Sequence, residues 1–379
     1  MRCVRQILIL RPAVIAALVV VSFTPPAGAA DRVLAGVEVG GKGAKLLVLR
    51  VPADGPAERL FAKTLDPTPL ADLDPNGAFS HTGVRRTVDA VAELVALARE
   101  KYGVSDADLT VVGSSSLATV SNNAVIADAV RTRTGLRMPF LTAADEAILV
   151  FRGLVPLTDR HTAMALDIGS GNTRVAAAGR SPGVGEWYVH GTLPLGTVTL
   201  TTRTERERLA AVTAVERALS PTVREFAQAH PTLTYHRPKC YLTGGAVWAM
   251  VTLVKPDAVR DPVVRLTVTD IEAFAALVDK ADRFPAIDLS GIPDGAVRSA
   301  ADAEVARVRD TFTPGDLRSA AALLHAFARV YRFEEKDLVF RRDGQFAWIL
   351  AHINPEPAQG AETVPCSGTS NSRCFLRRR

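Results

Sequence analysis

The chain has 379 residues, 47% of them hydrophobic and 22% charged, with a formal net charge of +5 at pH 7. That length suffices for two domains that each bury a core, and the composition is globular, which excludes disordered and fibrous classes. Removing the first thirty residues takes away three arginines and no acid, which lowers the net charge to +2, so the basicity gives no case for nucleic-acid binding.

Those thirty residues read as a secretory signal peptide. Arg2 and Arg5 form a basic start, Ile7 to Phe23 is almost wholly apolar apart from Arg11, and Ala27-Gly28-Ala29 is a small-residue cleavage site. The expectation is a periplasmic or secreted protein with no stable membrane span after cleavage; an uncleaved anchor is the alternative. In an oxidising compartment Cys366 and Cys374, close together in a polar tail, are placed to pair, whereas Cys240 sits in an apolar strand and reads as a buried thiol.

In chain order, Val33–Val39 and Lys45–Val51 read as strands around a turn of Gly40, Gly41, Lys42 and Gly43. A Pro/Asp/Gly-rich loop region follows, with a short strand near Leu60–Thr64. The periodicity predicts a helix over Arg85–Tyr102, stopped by Gly103. A strand over Asp108–Gly113 then leads into Ser114, Ser115 and Ser116. Helices are expected over Val120–Thr134 and Ala143–Leu154, with a short strand at Pro139–Thr142 between them. A second hairpin spans Ala165–Ala178, with the turn Gly169, Ser170, Gly171, Asn172 and Thr173, and another strand covers Trp187–Leu195. Then come a long helix over Glu205–Ala229, bent at Pro221, and a strand over Lys239–Thr243 running into Gly244-Gly245. Thr267–Val330 reads as mainly helical, and Asp337–Ile353 is the last ordered piece. Strands alternating with helices make this an α/β chain. The repeated hairpin implies two related lobes with a site in the cleft between them.

Two strands hinged on a Gly/Ser/Asn turn suit a phosphate, because successive backbone N–H groups point at one anion and glycine lets them approach closely. The plain alternative is an ordinary hairpin. Each acid at such a turn also has a structural reading: Asp145 and Glu146 cap a helix, and Glu38 faces solvent between Val37 and Val39. Lys42 and Lys45 either touch anionic oxygens or are simply solvated. Gly36 to Lys42 fits the start of a P-loop, but Gly43 replaces the magnesium-holding hydroxyl and a strand follows instead of a helix. Seven histidines form no H-E-x-x-H, no Cys/His pattern suggests zinc, and no G-x-S-x-G marks a serine hydrolase.

Taken in register, these landmarks resemble the exopolyphosphatase / guanosine-pentaphosphate phosphatase (Ppx/GppA) family of the actin-like ATPase superfold. Val37-Glu38-Val39-Gly40-Gly41-Lys42-Gly43 resembles its first phosphate loop, Gly113-Ser114-Ser115-Ser116-Leu117 its Ala-Thr-Ser-Ala-Leu stretch, and Leu141 to Ala147 its Ser-Gly-x-Glu-Glu-Ala-Arg segment. Asp167-Ile168-Gly169-Ser170-Gly171-Asn172-Thr173 resembles the second loop, Leu193-Pro194-Leu195-Gly196 matches outright, and Thr243-Gly244-Gly245 falls where the family has Gly-Thr-Gly-Gly. The similarity runs over about residues 33–350. It implies two ribonuclease-H-like lobes, 31–153 and 154–353, after the 1–30 signal peptide and before a disordered polar tail, 354–379.

The activity implied is hydrolysis of terminal phosphoanhydrides with a divalent cation, Mg²⁺ by expectation, on polyphosphate or a related substrate. Glu146, then Asp145, would be the catalytic base; Asp167 and Glu38 would hold the metal; and the two loops, Ser114–Ser116 and Gly244-Gly245 would grip phosphates. No nucleic-acid partner is expected, and a homodimer is compatible with the reading.

Four departures fall on the chemistry. Glu38 stands where the family has Asp, displacing any metal-bound water by about 1 Å, which can cost ~100-fold in rate. Gly and Lys replace Ser and Asn in the first loop. Ala118 replaces an arginine, and Arg174 replaces an acid. These motivate a second expectation, a non-catalytic polyphosphate- or phosphate-binding protein. A third, an ATP-dependent sugar kinase or actin-like ATPase, shares the superfold but lacks an adenine-pocket signature here.

Overall fold

The computed structural model describes residues 31–379 except 54–55, 182–184, 210, 235–236, 280–282, 355–361, 364–373 and 378–379. The signal-peptide reading and Cys366 lie outside the described residues. Among those described, no helix is long and apolar enough to cross a membrane.

Strands β1 (Arg32–Val39), β2 (Ala44–Val51) and β3 (Glu58–Leu65) form an antiparallel meander. Helix α1 (His81–Tyr102) then returns the chain so that β4 (Leu109–Gly113) lies parallel to β1. Short α2 (Ser115–Ala118) and α3 (Asn123–Thr134) follow, and Phe140 extends the sheet by a single parallel bridge to Gly113. That bridge is what remains of the strand expected at Pro139–Thr142. Helix α4 (Ala143–Leu154) leads into the second lobe.

The second lobe repeats the plan: β5 (Ala163–Ile168), β6 (Thr173–Ser181) and β7 (Gly185–Leu193) meander, and β8 (Lys239–Thr243) lies parallel to β5. The sheet orders are β3-β2-β1-β4 and, within eight strands, β7-β6-β5-β8. The hairpin repeat seen in the sequence is therefore a repeat of whole sheets, as two ribonuclease-H-like lobes require.

Between β7 and β8 the expected long helix is two, α5 (Thr197–Arg206) and α6 (Val212–Ala229). The break falls at Arg208, which adopts φ +54°, while Pro221 sits inside α6. The rest of the lobe is α7 (Pro231–Thr234), α8 (Gly245–Val254), β9 (Val263–Leu266), α9 (Val268–Asp279), α10 (Gly295–Thr311), α11 (Pro314–Val330), β10 (Asp337–Arg341) and α12 (Ala347–Ile353). The tail, expected to be disordered, contributes β11 (Glu362–Thr363) and β12 (Cys374–Arg377). Backbone pairing of Cys374 and Phe375 with Tyr188 and Trp187 adds β12 to the exposed edge of β7.

The first sheet is covered on both faces. Val88, Val91, Leu94 and Val95 of α1 pack with Val37, Leu46 and Val48 in one core. On the other face Leu47 and Leu49 join Val150, Phe151 and Leu154 of α4, and these are continuous with the core of the second lobe. Helix α12 crosses back from the second lobe onto α4. A Cβ on Gly153 would lie 1.9 Å from the Ala347 carbonyl oxygen, so only glycine permits that approach. The two lobes thus share one apolar seam beneath a common cleft.

Candidate functional site

Each hairpin turn is closed in the same way: Gly40 N–H donates to Gly43 O (2.8 Å), and Gly169 N–H to Asn172 O (3.0 Å). Carbonyls of both turns face the packing. Gly41 O and Lys42 O accept from Leu70 and Thr68 N–H, while Gly169 O and Ser170 O accept from Thr197 and Val198 N–H. Among the described residues the N–H groups of Gly41, Lys42, Ser170 and Gly171 have no hydrogen-bond acceptor, the state in which a turn accepts an anion. The two turns face one another: a Cβ on Gly41 would sit 2.4 Å from Ser170 Oγ. Gly244, at φ +94°, lies so close beneath β5 that a Cβ would fall 2.5 Å from Asp167 Oδ1.

One cleft gathers Gly40–Gly43, Ser114, Ser116, Gly169–Asn172, Gly244 and Gly245 together with Glu38, Glu146 and Asp167. Ser115 supports it from behind, donating its N–H to Glu146 Oε2 (2.8 Å) and accepting from Asn172 Nδ2 (3.0 Å). Thr173 is fully buried and ties its hydroxyl to Leu195 O. Asp145, the second catalytic candidate, does not reach the cleft. It is exposed and closes the Thr142 cap of α4, accepting from the Thr142 hydroxyl (2.7 Å) while its own N–H donates back. One step along a helix turns a side chain by about 100°, and that step buries Glu146 instead.

The acids are already paired. Asp167 and Arg174 stand directly opposite each other on β5 and β6, and Glu38 and Lys45 on β1 and β2. Arg174 donates Nε–H to Asp167 Oδ2 (3.0 Å), brings Nη2 to 2.6 Å from the same oxygen, and pairs through Nη1 with Glu146 Oε1. Burial alone would lower its pKa, but the carboxylates of Asp167 and Glu146 hold it above the ordinary arginine value. Lys45 Nζ lies 2.8 Å from Glu38 Oε1. Burial pushes the Glu38 carboxyl up, Lys45 offsets this in part, and the nearby Glu146 and Asp167 add to the rise. Glu38 Oε2 is buried with no partner among the described residues.

Lys42 lines the cleft, yet it serves as a bridge between lobes: Nζ reaches Asp316 Oδ2 (2.8 Å) and Thr311 O (2.7 Å) and lies 4.3 Å from the Phe312 ring centre. Sequence reasoning missed the wall formed by Trp248, Phe312 and Arg307, which come from α8, the α10–α11 junction and α10. Nothing in their local sequence marks them. The acid–base pairs did leave a signal, because Glu38/Lys45 and Asp167/Arg174 share the same seven-residue offset across turns of equal length.

The pair of α/β lobes with a phosphate-type turn from each facing a common cleft is the architecture of the actin-like ATPase superfold. Solved structures agree at the level of fold. An exopolyphosphatase-like protein superposes with TM-score 0.62 at 17% identity, covering 84% of this chain and 97% of its own. An exopolyphosphatase from Cytophaga hutchinsonii gives 0.59 at 15%, covering 85% and 98%. The Aquifex aeolicus Ppx-GppA enzyme gives 0.59 at 13%, covering 84% and 99%. No curated protein sequence matches. The Ppx/GppA phosphatase family profile matches residues 68–298, more than half of the chain, and the protein belongs to that family. The matched span starts after the first hairpin, so Glu38, Lys42 and Lys45 lie outside it.

Members of the family generally depend on a divalent cation. Magnesium requires open carboxylate oxygens in near-octahedral array. Here Glu146 has both oxygens engaged, Asp167 Oδ2 accepts two guanidinium contacts, and Glu38 Oε1 holds Lys45. Among the described residues no three His, Cys, Asp or Glu side chains converge to hold a metal ion. The residues present do not fit a divalent cation.

Proposed function

We propose that the cleft receives polyphosphate or a related phosphoanhydride and holds it without hydrolysing it. The observation that carries this reading is the state of Glu146. A general base needs a carboxylate oxygen within hydrogen-bond reach of its water, and both oxygens of Glu146 already hold a partner, one Arg174 and one the Ser115 N–H. What supports a grip on the anion is that both turns, with N–H groups that have no acceptor among the described residues, line the same cleft as Ser114, Ser116 and Arg174.

The second reading is the family's own chemistry, exopolyphosphatase-type release of terminal phosphate. The buried, unpartnered Glu38 Oε2 favours it, since that oxygen is open to a water. Phosphate release from long-chain polyphosphate, measured beside calorimetric binding of tripolyphosphate, separates the two. Binding with no release above that of Glu146→Gln is expected. Magnesium-dependent release that Glu146→Gln abolishes would overturn the binding reading in favour of the hydrolase.

The basic-apolar-small start of the chain supports export to the periplasm or beyond, as part of the same proposal. Fractionation of cells expressing the full chain tests it, and retention of an unprocessed protein in the cytoplasm would refute it.

A further inference from the structure

We infer that Lys45 and Arg174 take the place of the divalent cation, so that the cleft binds its phosphate ligand without metal; this rests on the phosphate-binding reading above. Three buried carboxylates, Glu38, Glu146 and Asp167, line one cleft, and buried acids so placed require positive charge beside them. Each hairpin supplies it internally. At the position directly across from its acid, the first carries Lys45 and the second Arg174. Together they bring two positive charges, the charge of one magnesium ion, on side chains fixed by the register of the sheet.

Arg174 does more than neutralise. A guanidinium carries five N–H donors in a planar fork. Arg174 spends Nε–H and one N–H from each terminal nitrogen on Asp167 and Glu146. Two of its five donors are left over from these contacts, on a residue that lines the cleft and can offer them to phosphate oxygens. A bound dication would have to compete with this guanidinium for Glu146 Oε1 and for Asp167 Oδ2.

The test uses the full chain with Mn²⁺ and tripolyphosphate as probes. Calorimetry should give a tripolyphosphate Kd that changes by less than about threefold when magnesium is replaced by EDTA, a difference close to the noise of affinity comparison. Electron paramagnetic resonance should find sub-millimolar Mn²⁺ unbound by the wild-type protein. Arg174→Gln frees Asp167 and Glu146, and should gain a bound Mn²⁺ together with a metal-dependent rise in Tm that the wild type lacks.

Stoichiometric Mn²⁺ binding by the wild type, or loss of tripolyphosphate binding in EDTA, would overturn the inference. If Arg174→Gln does not fold, the two wild-type measurements decide alone. Failure to bind tripolyphosphate in any buffer would refute the phosphate-binding reading instead, and the Mn²⁺ result would still judge the substitution of side chains for metal.

Discussion

Arg174→Gln removes a side chain that touches both Glu146 and Asp167 in the cleft. Arg174 is 7% exposed, Asp167 6% and Glu146 1%, so water cannot replace the lost charge. Removing one partner of a buried ion pair costs about 3–5 kcal/mol, because the remaining charge is left uncompensated in a poorly polarisable site. Two carboxylates lose their cation here, which places the expected loss at the upper end of that range. With a shift of roughly 2–4 °C per kcal/mol in a domain of a few hundred residues, the apparent Tm should fall by about 10 °C or more at neutral pH.

The fall should be read in thermal melts followed by circular dichroism. A loss below about 1 kcal/mol would mean that the guanidinium is solvated, and would refute the buried bridge.

Glu38→Gln tests the pH dependence of the cleft. The folded pKa of Glu38 is raised, so its contribution is complete below the ordinary carboxylate range and is lost as pH rises through the folded value. The variant should therefore gain stability relative to wild type between pH 5 and pH 8, and a parallel pair of Tm–pH curves would refute this. Cys240 is fully buried, with its thiol pKa pushed up to about 12; it should resist a thiol-reactive dye until denaturant unfolds the chain, and prompt labelling at that residue by peptide mapping would contradict the packing. Gly153→Ala would force a methyl into the Ala347 carbonyl 1.9 Å away; separating α4 from α12 should cost roughly 1–3 kcal/mol or more, and an unchanged Tm would show that the helices part freely.

The fold was legible where the sequence repeats. Two strand–turn–strand units with glycine-rich turns announce two related sheets, and the apolar spacing of α1 and α4 marks the helices that cover them. What was not legible depended on groups far apart in the chain. Strand β9 is four residues long and is defined by pairing with β10 more than seventy positions later. The long helix expected from Glu205 divides at Arg208, where no proline or glycine signals a stop. At the site, Asp145 and Glu146 are adjacent acids at one helix start, and composition cannot choose between them. The choice is made by the Ser115 N–H and Arg174, which wait on one side of α4 only. The bond from Lys42 to Asp316, 274 positions away, leaves no local pattern in the sequence.

The pairing of acid with base across both hairpins is the feature on which function turns. In an antiparallel pair, directly opposed side chains share one face of the sheet and lie within reach of each other. Register, once set by a four-residue turn, places Lys45 directly across from Glu38 and Arg174 directly across from Asp167. Had only one hairpin carried a cation, the opposite acid would remain an open ligand at the cleft floor, and a metal would still be drawn to balance it. With both filled, the positive charge needed to hold three buried carboxylates together is part of the covalent chain. It cannot be withdrawn by a chelator, and it cannot move to a leaving group as a coordinated ion can. In the binding reading proposed above, such a cleft holds phosphate while the carboxylate that would activate water is held by the residue that neutralises it.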